Sequence, residues 1–199
     1  MTSRLLALPV VALLAGGCAS YEIDGVAGYT AVQADAPGGV SPFFDDDSGL
    51  RLAANGSRSF FSPGVVRGEG GTSLRGNVNA SWARYDADTG ADDAELNVYS
   101  AQLGPSFRLS GFGLFAEAGA SAGASYATLD AVGDDDEQFS WAARPYVRAG
   151  IVRDLFLIGI EGGYELTGLD FDLDGAGGRA GEDYENWYVG VLVGIRLTR

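Results

Sequence analysis

Histidine and lysine are absent from this chain of 199 residues, and cysteine occurs once. Hydrolases that pair a serine or cysteine nucleophile with histidine take their general base from that histidine, so this chain cannot build such a site. One cysteine cannot form an internal disulfide. Walker, zinc-site and dinucleotide-binding patterns are also missing. We therefore expect no enzymatic activity and no cofactor.

Long apolar runs are missing as well. Beyond the N-terminus, no stretch of about twenty apolar residues is present, which argues against a membrane-spanning helix. The formal net charge is -14, and every base is arginine. An acidic chain repels the phosphates of nucleic acid, so we expect no nucleic-acid partner.

The N-terminus is typical of an export signal. Arg4 precedes an apolar segment, 5–14, that is too short to span a bilayer. Small residues then lead to Cys18, a pattern that resembles the lipobox of bacterial lipoproteins, although Ala15 stands where that motif usually has leucine. The resemblance predicts a signal peptide over 1–17, a lipid anchor on Cys18 and a single domain over 18–199. An ordinary secretory signal cut near Ala19 is the alternative.

What the chain has in abundance is alternation of apolar and polar residues. Over 155–169, Phe156 and Ile158 share one face, while Glu161 and Glu165 share the other. A period of two indicates a β-strand, because successive side chains point to opposite faces. Eight segments follow this pattern, and they predict strands over 21–33, 47–60, 71–86, 95–109, 112–129, 138–152, 155–169 and 184–198.

The links between these segments alternate between short and long. Tight turns are predicted at 110–111 and 153–154 and a longer one at 61–70, whereas acidic loops are predicted at 34–46, 86–94, 130–137 and 170–183. Short turns on one side and longer loops on the other are typical of outer-membrane barrels. The chain is therefore predicted to be all-β, an eight-stranded antiparallel up-and-down transmembrane barrel with both termini on the short-turn side.

Composition decides which face of each strand points inward. The polar face carries charges of both signs among glycine and serine, and the opposite face is apolar with tryptophans near strand ends, which suits membrane interfaces. Arginines and carboxylates can neutralise one another inside a narrow barrel. A soluble lipocalin-like barrel around an apolar ligand would reverse the two faces. The predicted interior charge network comprises Arg75, Arg108, Glu117, Arg144, Arg148, Glu161, Glu165 and Arg196.

Two acidic patterns have a chemical interpretation. Glu161 and Glu165 lie on one strand face and would suit acid–base work if they shared a proton, but neutralisation by the arginines Arg144, Arg148 and Arg196 is favoured. Asp170, Asp172 and Asp174 match the start of a calcium loop, yet position twelve is a glycine where glutamate is needed. These loop acids are weak candidates for a looser divalent-cation site. Without such cations, they would repel lipopolysaccharide phosphates.

From about residue 21 to 199, this pattern resembles the small eight-stranded outer-membrane barrels of the OmpA-transmembrane-domain, OmpX and Ail type. The C-terminal run with Tyr188, Gly190, Val193 and Ile195 resembles the family's assembly signal, although the chain ends in Arg199 rather than an aromatic residue.

The resemblance implies a location in the outer membrane of a Gram-negative bacterium. The implied partners are outer-membrane lipid, lipopolysaccharide and the barrel assembly machinery. It also implies a structural or surface-interaction role. A narrow pore is an alternative, which a plugged polar interior disfavours.

Overall fold

The structure, a computed structural model, describes residues 20–35, 45–61, 71–88, 93–131, 134–169, 171–173, 178–180 and 183–198. The predicted signal peptide and Cys18 lie outside the described residues, as do Asp170 and Asp174. These residues form ten strands: β1 (Ser20–Asp35), β2 (Asp45–Phe61), β3 (Gly71–Asp88), β4 (Asp93–Gly111), β5 (Leu114–Ala131), β6 (Asp134–Arg153), β7 (Phe156–Thr167), β8 (Phe171–Leu173), β9 (Gly178–Ala180) and β10 (Asp183–Thr198).

Eight of these strands form a closed antiparallel barrel in the order β1-β10-β7-β6-β5-β4-β3-β2. All eight predicted strands, including the first two, are therefore confirmed, and so is the all-β barrel. The strands β8 and β9 pair only with each other, as a small hairpin inside the region predicted to be a loop. Within the described part of the chain, no helix is long and apolar enough to cross a membrane.

Both tight turns lie at one end of the barrel. Gly111 pairs with Leu114 around a two-residue turn, and Arg153 pairs with Phe156 around another. The pairing of Ser20 with Thr198 brings the first and last strands together at this same end. We call it the turn end and the opposite one the loop end. This agrees with the predicted position of the termini.

The strands run further toward the loop end than predicted. The acidic run Asp134–Glu137, expected in a loop, belongs to β6 and continues the ladder with β5, where Leu129 pairs with Asp136. Likewise β3 reaches Asp88, and β4 begins at Asp93. Charge content suggested loops here, but the backbone pairing of β5 with β6 continues through the acidic run.

Side chains alternate across the barrel wall as the sequence pattern predicts. On β10, Val189, Val191 and Val193 face outward, whereas Tyr188 and Leu192 are buried inside. On β1 the ladder with β2 shifts register between Ala31 and Gln33, and Ala31, which has an outward position in the alternation, is also buried. The barrel thus has an apolar outer wall and a separate, enclosed interior.

Candidate functional site

The turn-end half of the interior is organised around one carboxylate, that of Glu22. Its oxygens lie 2.9 Å from Arg75, 2.7 Å from Arg108 and 2.7 Å from Arg196. Arg108 also donates from Nε to Glu117 over 2.7 Å. Every charged side chain of this cluster except Arg196 is almost fully buried. Each charge is therefore compensated by its neighbours rather than by water.

A second cluster surrounds Glu161 near mid-height. Its carboxylate lies 2.5 Å from Arg148 and 3.2 Å from Arg144, and the Tyr188 hydroxyl donates to it over 2.9 Å. Arg148 also reaches Asp24 over 3.4 Å. Both arginines and Glu161 have no exposed side-chain surface. Two arginines and a tyrosine thus depend on this one carboxylate.

Strand register explains how the two clusters join. Arg108 on β4 lies directly opposite Glu117 on β5, Glu117 lies opposite Arg148 on β6, and Arg148 lies opposite Glu161 on β7. Cross-strand neighbours are close enough for their side chains to interact. The four residues form a row of alternating sign around half of the barrel, which the sequence of each strand alone does not reveal.

Glu165 has a different environment from Glu161. It accepts hydrogen bonds from Ser100 over 2.6 Å and from Gln102 over 2.9 Å, and Arg51 lies 3.7 Å away. The Arg51 guanidinium stacks 4.0 Å above the Tyr188 ring. The two glutamates are therefore held by separate partners.

The structure places all eight residues of the predicted network on the inner face of the barrel, with Arg196 at its partly exposed rim. One predicted pairing is wrong: Arg196 meets Glu22 rather than Glu161 or Glu165, because its strand closes the barrel against β1. The sequence interpretation also missed Glu22, Asp24 and Arg51. The alternation of Tyr21, Glu22, Ile23 and Asp24 is the signal that marks the two acids as inward-facing.

Apolar side chains share the interior with the charges. Val26, Phe115, Leu157 and Leu192 form a buried cluster in the turn-end half. On β1 and β10, Glu22 and Arg196 lie four positions nearer the turn end than Val26 and Leu192. Toward the loop end, Thr30 hydrogen-bonds to Tyr85 over 3.0 Å, and further fully buried side chains lie at Val32, Leu96, Leu129 and Leu169. The described interior therefore combines charged and apolar side chains.

The outer wall has the opposite character. A row of aromatic residues crosses four strands toward the loop end, with Trp82 opposite Tyr99, Tyr99 opposite Tyr126, and Tyr126 opposite Phe139. Trp187 continues this level, 5.5 Å from the Tyr29 ring. Large apolar side chains cover the wall below it, among them Leu103, Phe107, Val147, Ile158, Ile160, Val191 and Val193, each at least half exposed. Charge inside and apolar surface outside is the distribution of a barrel that spans a membrane.

Acids occupy paired register positions on neighbouring strands at the loop end. Asp86 lies opposite Glu95, Asp88 opposite Asp93, and Asp130 opposite Asp135. Like charges directly opposite each other destabilise a ladder. Arg84 offsets the first pair, since it lies 3.0 Å from Asp86 and 2.8 Å from Glu95.

The predicted divalent-cation candidates lie in the same region but are incompletely described. Asp172 belongs to β8, while Asp170 and Asp174 fall outside the described residues. Among the residues that the structure does describe, no group of three or more metal-ligating side chains is assembled.

No protein-family model and no curated protein sequence matches this chain. Solved structures do match. Neisserial surface protein A (NspA) aligns with a TM-score of 0.56 and 14% identity, covering 92% of this chain and 100% of that one. The fold is that of small outer-membrane barrels.

Two further structures have the same fold. Ail of Yersinia pestis, in complex with the heparin analogue sucrose octasulfate, aligns with a TM-score of 0.50 and 15% identity over 90% of this chain and 99% of Ail. The outer membrane protein OprG of Pseudomonas aeruginosa aligns with a TM-score of 0.50 and 12% identity, covering 92% of this chain and 97% of OprG. The predicted resemblance to small outer-membrane barrels is thus confirmed for the fold, and the predicted location in the outer membrane agrees with it.

Proposed function

We propose that this chain is an outer-membrane protein of a Gram-negative bacterium with a structural or surface-interaction role and no catalytic activity. The observation that carries the proposal is the combination of a filled, charge-paired interior with an apolar wall. A barrel with these features spans a bilayer stably and leaves its loop end as the surface available to partners.

The interior supports this proposal over catalysis, a lipocalin-like carrier and a pore. Each described interior carboxylate (Glu22, Asp24, Glu117, Glu161 and Glu165) has an arginine within 4 Å, an arrangement that serves charge compensation. A lipocalin-like carrier needs an apolar cavity at mid-height, where this barrel holds charge. A pore needs an open path, which the paired and packed side chains of the described interior oppose.

A lipid anchor at Cys18 belongs to the same proposal. Ser20 pairs with Thr198 at the turn end, and Cys18 precedes it by two positions in the sequence. If the turn end faces the periplasm, an acyl chain on Cys18 would enter the inner leaflet beside the barrel wall.

Membrane fractionation tests the location. We expect the mature chain, with Cys18 replaced by serine to remove the anchor, to remain in the membrane fraction, because the apolar wall alone holds it there. On gels it should migrate differently before and after boiling, since folded barrels resist detergent. A chain found in the aqueous fraction, able to bind an apolar dye, would support the soluble carrier instead.

The charge of the loop end limits the class of surface ligand. The segments 34–46, 86–95, 130–137 and 170–185 are rich in aspartate and glutamate, and Arg179 is their only base. A polyanion such as the heparin analogue bound to Ail would be repelled here. We infer that a surface ligand of this chain is neutral or basic.

Neutralising the β6 run tests this inference. We expect the variant Asp134→Asn, Asp135→Asn, Asp136→Asn and Glu137→Gln to associate more slowly with a polylysine-coated surface, by roughly tenfold at low salt. The matched control Arg84→Gln, which adds to the negative field, should associate faster. Surface plasmon resonance with vesicle-reconstituted protein measures both rates. Equal rates for all three proteins would contradict a ligand-facing role for this charge.

Divalent cations at Asp170, Asp172 and Asp174 remain a proposal, supported by the preference of hard cations for oxygen ligands. Bridging by such cations would let the acidic loop end lie beside lipopolysaccharide phosphates. The same assay of association with polylysine, run with calcium and then with a chelator, measures whether bound cations reduce the negative charge of the loop end.

A further inference from the structure

The turn between β4 and β5 contains a phenylalanine in a backbone conformation that disfavours bulky residues. Phe112 and Gly113 form the two-residue loop, with φ angles of 53° and 77°. Positive φ at both positions defines the type I′ hairpin turn, for which Asn-Gly is strongly preferred. A bulky side chain in the left-handed region is an outlier that costs conformational energy.

Folding of the barrel gives no reason for phenylalanine here. Phe112 is 99% exposed, so its ring gains almost no burial within the chain. The equivalent position of the other tight turn, with a φ of 54°, is Asp154, a residue type that tolerates this region well. A strained residue that the fold does not use indicates a contact outside the chain.

The surroundings of Phe112 indicate the chemistry of that contact. At the neighbouring tight turn, Leu155 and Phe156 are 54% and 66% exposed, and Arg153 is exposed beside them. The turn end therefore combines apolar tips with a basic side chain, while acids gather at the loop end. Aromatic residues favour the interface between headgroups and acyl chains, and arginine is attracted to anionic lipid surfaces.

We propose that the turn end docks into the headgroup layer of the inner leaflet, with Phe112 and Leu155 inserted as anchors and Arg153 binding anionic phospholipid. This inference rests on the proposed membrane location and adds the lipid class that the turn end recognises. It also gives the turn end of the barrel a preferred depth in the bilayer.

Substitution of Phe112 tests the anchor. Phe112→Asn creates an Asn-Gly turn, which the backbone prefers, so it should slow unfolding if the ring has no external partner. If the ring is inserted in the leaflet, the same change accelerates urea unfolding from phospholipid vesicles several-fold, whereas Phe112→Trp leaves it unchanged or slows it. An asparagine variant that unfolds as slowly as the natural chain, or more slowly, would overturn the anchor.

The lipid class is tested with vesicles of phosphatidylcholine alone or mixed with phosphatidylglycerol. We expect the anionic lipid to slow unfolding of the natural chain several-fold, and Arg153→Gln to lose most of this dependence. Equal dependence in both proteins would remove Arg153 from the lipid contact. Asp154→Asn is the control, since it also removes a charge at the turn end. In this variant, the slowing of unfolding by phosphatidylglycerol should stay the same or increase.

A spin label at position 112 separates this inference from the proposed function. In the Phe112→Cys, Cys18→Ser chain, the label should collide more with oxygen than with a water-soluble nickel complex, as expected near acyl chains. A water-exposed label in a protein that fractionates with membranes would overturn the docking alone and indicate a soluble periplasmic partner. A protein absent from membranes would overturn both.

Discussion

Replacing Glu161 with glutamine should lower the free energy of unfolding by about 3–5 kcal/mol, the usual cost of removing one partner from a buried ion pair. Arg144 and Arg148 would both remain in the interior, at 3.2 and 2.5 Å from a side chain that no longer carries charge. Arg148 would keep Asp24, 3.4 Å away, and its cross-strand neighbour Glu117. Urea titration of the vesicle-embedded protein, read by gel mobility without boiling, measures the loss.

The matched control for this experiment is Glu185→Gln. Glu185 is also a glutamate bonded to a tyrosine, since it accepts a hydrogen bond from Tyr164 over 2.6 Å, but it is exposed. Surface substitutions of this kind change stability by about 0.5 kcal/mol or less. Equal losses in the two variants would mean that water reaches Glu161 and that the interior is not the closed charge network described above.

The second large effect is expected on the outer wall. Val191 lies at the middle of β10, opposite Ile160 and Ala27, and is 57% exposed. Arginine there would have to enter the hydrocarbon layer, so Val191→Arg should cost about 2–4 kcal/mol of folding stability. Unfolding in vesicles of known thickness measures this cost.

Leu197→Arg is the control on the same strand and the same face. Leu197 pairs with Tyr21 near the turn end, where charge reaches the interface and costs only about 0–1 kcal/mol. A barrel in water would tolerate both substitutions equally. Nearly equal costs at Val191 and Leu197 would therefore contradict the membrane-spanning interpretation.

Most of the fold could be predicted from the alternation of apolar and polar residues in the sequence. Residues such as Val189, Val191 and Val193 recur at a spacing of two, and burial of every second side chain follows from strand geometry wherever the register is regular. Alternating short and long links then predicted the up-and-down order. These signals are local, which explains why the strands could be located without knowing their partners.

Pairing inside the barrel depends on register, which is not local. The sequence places Arg196 on a polar face, but only the closure of β10 on β1 brings it to Glu22. Composition also misled at the loop end, where the Asp134–Glu137 run suggested a loop although the ladder with β5 continues through it. The bulge between Ala31 and Gln33 is likewise not indicated by any residue of β1.

The seam between β1 and β10 has a consequence for the order of assembly. The first strand of the barrel, β1, pairs along one edge with the last, β10. Glu22 on β1 contacts three arginines, and one of them, Arg196, lies on β10. Until the final strand arrives, the unpaired backbone groups of an open edge would face surrounding lipid, which does not tolerate them. Closure of the ring and completion of the Glu22 cluster therefore belong to a single terminal event, which favours entry into the bilayer as a nearly complete cylinder rather than hairpin by hairpin.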